Sequence, residues 1–181
     1  MLCGVTLTET PIDGAFVMQM TRIPDDRGFF AEAFHRDTFT GLGLDTRIAQ
    51  MNVSYNDRQG TLRGMHYQIA PHEEVKIVRC VRGSVFDVVL DLRRDSPTFG
   101  QWAGAELSAD NRLAFYVPAG CAHGYQTLTD DTEVLYMVSN AYSPAHYRGL
   151  RWNDPFFNVA WPETNTRILH PRDESYPDFQ P

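Results

Sequence analysis

Along most of this chain apolar and polar residues alternate in short runs, and the runs end at Gly, Pro, Asp or Asn. Alternation of period two is the signature of strands with one buried face. Residues 16–22 read as a first strand, 25–28 as a turn and 29–34 as a second strand. Residues 47–55 alternate with Gln50, Asn52 and Ser54 on one parity. A turn at 56–60 leads into the strand formers Leu62, Met65 and Tyr67. Residues 75–82 and 84–92 hinge at Gly83, which signals a hairpin. Residues 102–107 and 113–117 flank a turn at 108–111, and 124–128 and 133–142 are separated by 129–131. Helical period is scarce; its clearest instance is 36–42, short and ended by glycines. Regularly spaced short strands predict an all-β sandwich or barrel with short peripheral helices. No linker or repeat divides residues 1–181, so a single domain is expected. Regularity fades after Pro144, and Trp152-Asn-Asp-Pro155 reads as a turn. The polar, proline-rich stretch 170–181 is either a frayed end or an arm tied down because it carries a needed residue.

Composition narrows the classes of function. An apolar fraction of 43% supplies a core, and a net charge of −7 leaves no basic field to hold nucleic acid. If an anion binds, basic groups must be concentrated locally. No run reaches membrane-spanning length and the N-terminus lacks a signal pattern, so no membrane partner is expected. Cys3, Cys80 and Cys121 are scattered and form no zinc-type pair; cytoplasmic thiols are the simplest reading.

Such a local concentration lies in the stretch Gly60-Thr-Leu-Arg-Gly-Met-His-Tyr-Gln68 and its continuation to Lys76. Arg63 and Lys76 are lasting cations, and His66 exchanges a proton near neutral pH. This cluster suits an anionic ligand whose chemistry is proton transfer. Arg63 and His66 have opposite parity, so either Gly64 marks a bulge or they serve different places. Tyr136 and Tyr142 share parity on one predicted strand. The amides Gln50 and Asn52 fit either a solvated face or a barrel mouth. Pro118-Ala-Gly-Cys-Ala-His123 is a second site-like loop. A metal set of His66, His72, Glu74 and His123 can be written down, but its spacing is poor.

Nine motifs in register carry a family resemblance. Asp26-Arg-Gly-Phe-Phe-Ala-Glu32, Gln50-Met-Asn52, the stretch from Gly60 to Gln68, Val75-Lys-Ile-Val-Arg79 and Arg82-Gly-Ser-Val-Phe-Asp87 come first. Ser96-Pro-Thr-Phe-Gly100, Pro118-Ala-Gly-Cys-Ala-His-Gly124, Glu133-Val-Leu-Tyr136 and Arg151-Trp-Asn-Asp-Pro155 follow in order. Together they resemble the dTDP-4-dehydrorhamnose 3,5-epimerase family over nearly the whole chain.

The resemblance implies a cupin-type jelly-roll barrel, a homodimer and no metal or organic cofactor. The substrate would be a nucleotide-linked 4-keto-6-deoxy sugar, most simply dTDP-4-dehydro-6-deoxyglucose on its way to dTDP-4-dehydrorhamnose. Its ketone acidifies the protons on C3 and C5, so a base can form an enolate that is reprotonated from the other face. By resemblance His66 is the base, Asp173 orients it, Lys76 steadies the enolate oxygen and Tyr136 is the acid. Arg27, Phe30 and Glu32 would reach the nucleotide of the neighbouring subunit, through exchanged N-terminal strand contacts. Arg63 would hold the diphosphate, Gln50, Asn52 and His123 would line the sugar and phosphate region, and Tyr142 would stack on the base. Arg172 joins the substrate-binding set, standing where many members carry Lys; Tyr147 stands where many carry Glu. Some members act at C3 alone or C5 alone, and the motifs do not separate these. Two other classes compete: a non-catalytic sugar-nucleotide-binding cupin and a metal-dependent cupin enzyme.

Overall fold

A computed structural model describes residues 4–181. Alternating runs become antiparallel strands, and the strands form two sheets that face each other. The first sheet has the order β1 (Val5–Glu9), β2 (Phe16–Met20), β10 (Ala114–Val117), β7 (Lys76–Arg82), β12 (Thr132–Val138), β5 (Gln50–Asn56). The second has the order β13 (Tyr147–Gly149), β6 (Leu62–Gln68), β11 (Cys121–Thr127), β8 (Ser84–Asp91), β9 (Trp102–Ser108). A separate hairpin joins β3 (Ile23–Asp25) to β4 (Gly28–Phe30). Two short helices, α1 (Arg36–Gly41) and α2 (Pro171–Glu174), lie outside the sheets. This is the all-β, jelly-roll arrangement of cupin type with peripheral helices.

The core fills the space between the sheets. Val78, Phe115 and Val134 come from the first sheet, and Val85, Val89 and Leu107 from the second. Each large side chain fully buried there contributes roughly 1.5–3 kcal/mol. The second sheet is covered on its outer face as well. Chain beyond β13 folds back across it, so that Leu150, Phe157 and Phe179 pack on Met65, Val88 and Ala122. Burial on both sides explains why every residue of β11 is buried.

Several boundaries differ from the sequence reading. The strand expected at 133–142 ends at Val138, so Tyr142 stands in a loop and not on the strand of Tyr136. Strand β4 stops at Phe30 and does not reach residue 34. The site-like loop at 118–123 is shorter than expected, because Cys121, Ala122 and His123 already belong to β11. Strands β1 and β13 lie outside the runs read from the sequence. On β5 the polar parity faces inward: Met51 and Val53 are exposed, the latter at 63%, while Asn56 on the parity of Gln50 is buried.

Candidate active site

Both sheets contribute walls to one cavity of about 600 Å3. From the first sheet come Gln50, Asn52 and Ser54 on β5, Lys76 on β7 and Tyr136 on β12. From the second come Arg63 and His66 on β6, His123 and Tyr125 on β11 and Tyr147 on β13. The segment 168–173 closes one side with Arg172 and Asp173.

The parity problem on β6 has a local solution. In the pairing with β11, His66 faces His123 and Arg63 faces Tyr125, so three steps on β6 match two on β11. That irregularity is a bulge, and it turns Arg63 and His66 into the same cavity. Glycines permit it. Gly64 has φ +133°, and a Cβ there would lie 2.5 Å from the Cα of Gly124.

His66 and Asp173 form a tight pair. Nε2 of His66 lies 2.8 Å from Oδ1 of Asp173, which is 2% exposed. The backbone N–H of Gly64 donates to the other carboxylate oxygen at 3.4 Å. Burial pushes the Asp173 carboxyl up, but the His66 contact, the Gly64 N–H and Arg172 outweigh it and hold it below the ordinary carboxylate value. An ionised Asp173 requires the proton on Nε2, which leaves the lone pair on Nδ1. Burial in turn lowers the pKa of His66 below its ordinary value, with Asp173 opposing and Lys76 and Arg172 reinforcing. The imidazole is thus neutral, and available as a base, at neutral pH.

Lys76 is buried but has polar partners. Its Nζ lies 3.2 Å from Oε1 of Glu74 and donates to the carbonyl of His66 at 3.3 Å. Glu74 also accepts from Gln68 Nε2 at 3.1 Å. Tyr136 stands on β12, next to the strand of Lys76 and on the sheet opposite His66, paired in register with Asn52 and Val78. Burial, and then the charge of Glu74, push its phenol pKa up, so it holds its proton.

His123 is held from behind. Its Nε2 lies 2.9 and 3.0 Å from the two carboxylate oxygens of Asp87, which is fully buried. Burial raises the pKa of Asp87, and His123 offsets part of that rise. At the floor, Tyr125 and Ser54 share a 2.7 Å hydrogen bond. Arg63 donates to Asn56 at 2.8 Å and to the carbonyl of Tyr55 at 3.1 Å, which fixes the direction of its guanidinium. Gln50 donates to Asn52 at 2.6 Å and accepts from the backbone N–H of Tyr142 at 3.2 Å, which draws that loop residue to the cavity.

Of the residues expected from the sequence, His66, Asp173, Lys76, Tyr136, Gln50, Asn52, Arg63, His123, Tyr142 and Arg172 meet here. Arg27, Phe30 and Glu32 do not line this cavity: the first two lie on the β3–β4 hairpin and the third just beyond it. The tentative metal set does not assemble; His72 stacks on His146 at 4.3 Å, and among the described residues no three His, Cys, Asp or Glu side chains gather as ligands. Cys80 and Cys121 are buried, with thiol pKa values pushed up by burial to about 11 and about 12; Cys3 lies outside the described residues. Sequence reasoning missed Asp87 and Glu74 as partners. The signal for Asp87 was a carboxylate set between Val85 and Val89 on the buried parity of β8. For Glu74 it was an acid two residues before Lys76.

Comparison with known proteins gives the family. The family model described as dTDP-4-dehydrorhamnose 3,5-epimerase matches residues 9–181. The dTDP-4-dehydrorhamnose 3,5-epimerase of Sinorhizobium fredii (strain NBRC 101917 / NGR234) is 44% identical over 155 residues, covering 86% of this chain and 80% of the relative. The dTDP-4-dehydrorhamnose 3,5-epimerase of Bacillus anthracis str. Ames, solved with TDP and PPi bound, superposes with a TM-score of 0.92 at 40% identity and covers 97% of this chain and 100% of its own. The dTDP-6-deoxy-D-glucose-3,5-epimerase of Legionella pneumophila Philadelphia 1, solved in complex with dTDP-4-keto-L-rhamnose, gives 0.88 at 35% identity over 93% of this chain and 89% of its own. A half-buried imidazole on a buried carboxylate, with a protonated phenol on the other wall of the same cavity, thus sits in a chain that belongs to the dTDP-4-dehydrorhamnose 3,5-epimerase family.

Proposed function

We propose that this isomerase epimerises a dTDP-linked 4-keto-6-deoxy sugar through Nδ1 of His66 as base and the hydroxyl of Tyr136 as acid. The observation that carries the reading is that the two groups come from opposite sheets of one cavity. A sugar ring between them is open to deprotonation on one face and protonation on the other, which is what inversion requires. Asp173 steadies the imidazolium as it forms. Lys76 supplies positive charge to the enolate oxygen at C4 while Glu74 and the His66 carbonyl hold it in place. Arg63 and Arg172 give the diphosphate its counter-charge, with His123, Gln50 and Asn52 beside the sugar and Tyr142 under the base.

In the same reading the working unit is a homodimer. The exposed apolar positions Met51, Val53 and Tyr55 on edge strand β5 call for a cover. The β3–β4 hairpin carries Phe30 at 62% exposure beside Arg27, and Glu32 follows it; this group would contact the nucleotide in the partner's cavity. Residues 1–181 act as one domain with 170–181 as its functional arm, in the cytoplasm. None of the described helices is long and apolar enough to cross a membrane.

The test is proton NMR of dTDP-4-keto-6-deoxyglucose in heavy water with no added metal. Loss of the C3 and C5 proton signals, abolished in His66→Ala, is expected. Loss at one carbon alone restricts the activity to that centre. No exchange at either carbon overturns the reading in favour of a binding protein.

A further inference from the structure

Tyr147 has no task in the acid–base reading, yet it lies against His66 and against Arg172, which itself reaches Asp173. It leaves β13 opposite Gln68, and its ring centre lies 5.3 Å from that of His66 at an interplanar angle of 43°. The edge of Tyr142 meets it at 5.3 Å. The guanidinium carbon of Arg172 stands 5.1 Å over the same ring, and Nη2 of Arg172 donates to the Tyr147 hydroxyl at 3.5 Å. Arg172 also reaches Asp173: its Nε is 3.5 Å from Oδ1, the oxygen already engaged by His66 at 2.8 Å. One carboxylate oxygen is therefore contested by an imidazole and a guanidinium. An arginine free to move would fork across both oxygens, because bidentate pairing is the stronger geometry. The face of Tyr147 offers the guanidinium another seat.

We infer that Tyr147 is a positioning residue for the His66–Asp173 pair: its ring covers the imidazole and keeps Arg172 at the edge of the carboxylate instead of across it. This rests on His66 being the base. The side chains of Tyr147 and Arg172 touch, so a change at one is felt by the other.

Titratable and charged groups surround His66 from every neighbouring element, and of these Asp173, Lys76 and Arg172 act on its proton affinity. Asp173 and Arg172 face it from α2, Lys76 from β7 with Glu74 attached, and His123 from β11 with Asp87 behind. Arg63 shares its strand, and Tyr136 stands on the opposing sheet. Burial is the largest influence on the imidazole and lowers its pKa. Tyr147 provides part of that burial. Removing the ring admits water, which raises the pKa of His66, and frees Arg172 to draw Asp173 away, which lowers it; burial is the larger influence, so the net shift is upward and fewer molecules hold a neutral base at mildly acid pH.

The experiment is a pH titration of the histidine ring protons by NMR in the free protein, with the His66 signal identified by its loss in His66→Gln. Tyr147→Ala is expected to raise the pKa of His66 and to move the acid limb of kcat/KM upward with it. Tyr147→Phe keeps the ring and is expected to keep the wild-type titration. Tyr147→Val suits a strand, lacks the ring and stands in for the alanine variant should that one not fold. A ring-deleted variant that titrates His66 as wild type does overturns the inference, and so does a phenylalanine variant that shifts as far as alanine. The titration needs no substrate. A wild-type enzyme that fails to exchange deuterium sinks the functional reading by itself, whatever Tyr147 does to His66.

Discussion

Asp173→Asn keeps the shape of the group against His66 and removes its charge. Nε2 and Oδ1 are 2.8 Å apart, and Asp173 is 2% exposed. When Nδ1 takes the substrate proton, an imidazolium forms with its charge centre roughly 4 Å from the carboxylate. At an effective dielectric constant of about 20 that attraction is worth about 4 kcal/mol. With proton transfer half complete in the transition state, about 2 kcal/mol is lost, or roughly 30-fold in rate; with transfer complete the loss approaches about 1,000-fold. A second effect runs along the pH axis. Asp173 raises the proton affinity of His66, so removing its charge lowers the imidazole pKa further. The base then stays neutral to lower pH, and the acid limb of the exchange rate moves downward while the plateau falls. Deuterium incorporation at C3 and C5, followed by NMR across a pH series, reads both effects. An unchanged plateau, or an acid limb displaced upward, refutes the reasoning.

Tyr136→Phe removes the acid and spares the base, so washout of substrate protons should persist while completed inversion falls by about 10²–10⁴-fold, read as product against deuterium content. Lys76→Met strands Glu74 as a buried, unpaired charge and should cost about 3–5 kcal/mol of stability in urea unfolding. Lys76→Met combined with Glu74→Gln should recover most of that stability and none of the exchange, which separates the structural role of the lysine from its chemical one. Burial opposes ionisation of Asp91, but hydrogen bonds from Arg93, Ser96 and Thr98 hold its carboxyl far below the usual 3.8. Its contribution is present above about pH 4 and is lost as pH falls toward the folded-state value, so Asp91→Asn should destabilise by about 2–3 kcal/mol at neutral pH and by progressively less in acid.

Much of the site was readable as chemistry before it was readable as geometry. His66, Lys76 and Arg63 announced an anion and a proton by residue type, the motifs in register supplied Tyr136, and the resemblance they carry implied Asp173. Tyr142 shows where parity reasoning stopped. It was expected on the strand of Tyr136, but β12 ends at Val138, and the hydrogen bond to Gln50 is what draws the tyrosine to the cavity. Strand β5 shows the same limit from the other side. Alternation located its two faces but could not say which was inner, since Met51 and Val53 invite burial more than Gln50 and Asn52 do.

Period and punctuation along the chain determined the strand class, most strand positions and the concentration of cationic and proton-accepting groups in one stretch. These are local quantities: alternation follows from backbone geometry, and residue type follows from nothing but the chain itself. Which residues meet was decided only in three dimensions. The bulge opposite Gly124 turns Arg63 and His66 together, the fold-back beyond β13 delivers Asp173 to Nε2, and the facing of two sheets sets Tyr136 across from the base. Each of these contacts joins segments far apart in sequence, where the packing of other residues determines the distance and no local signal records it.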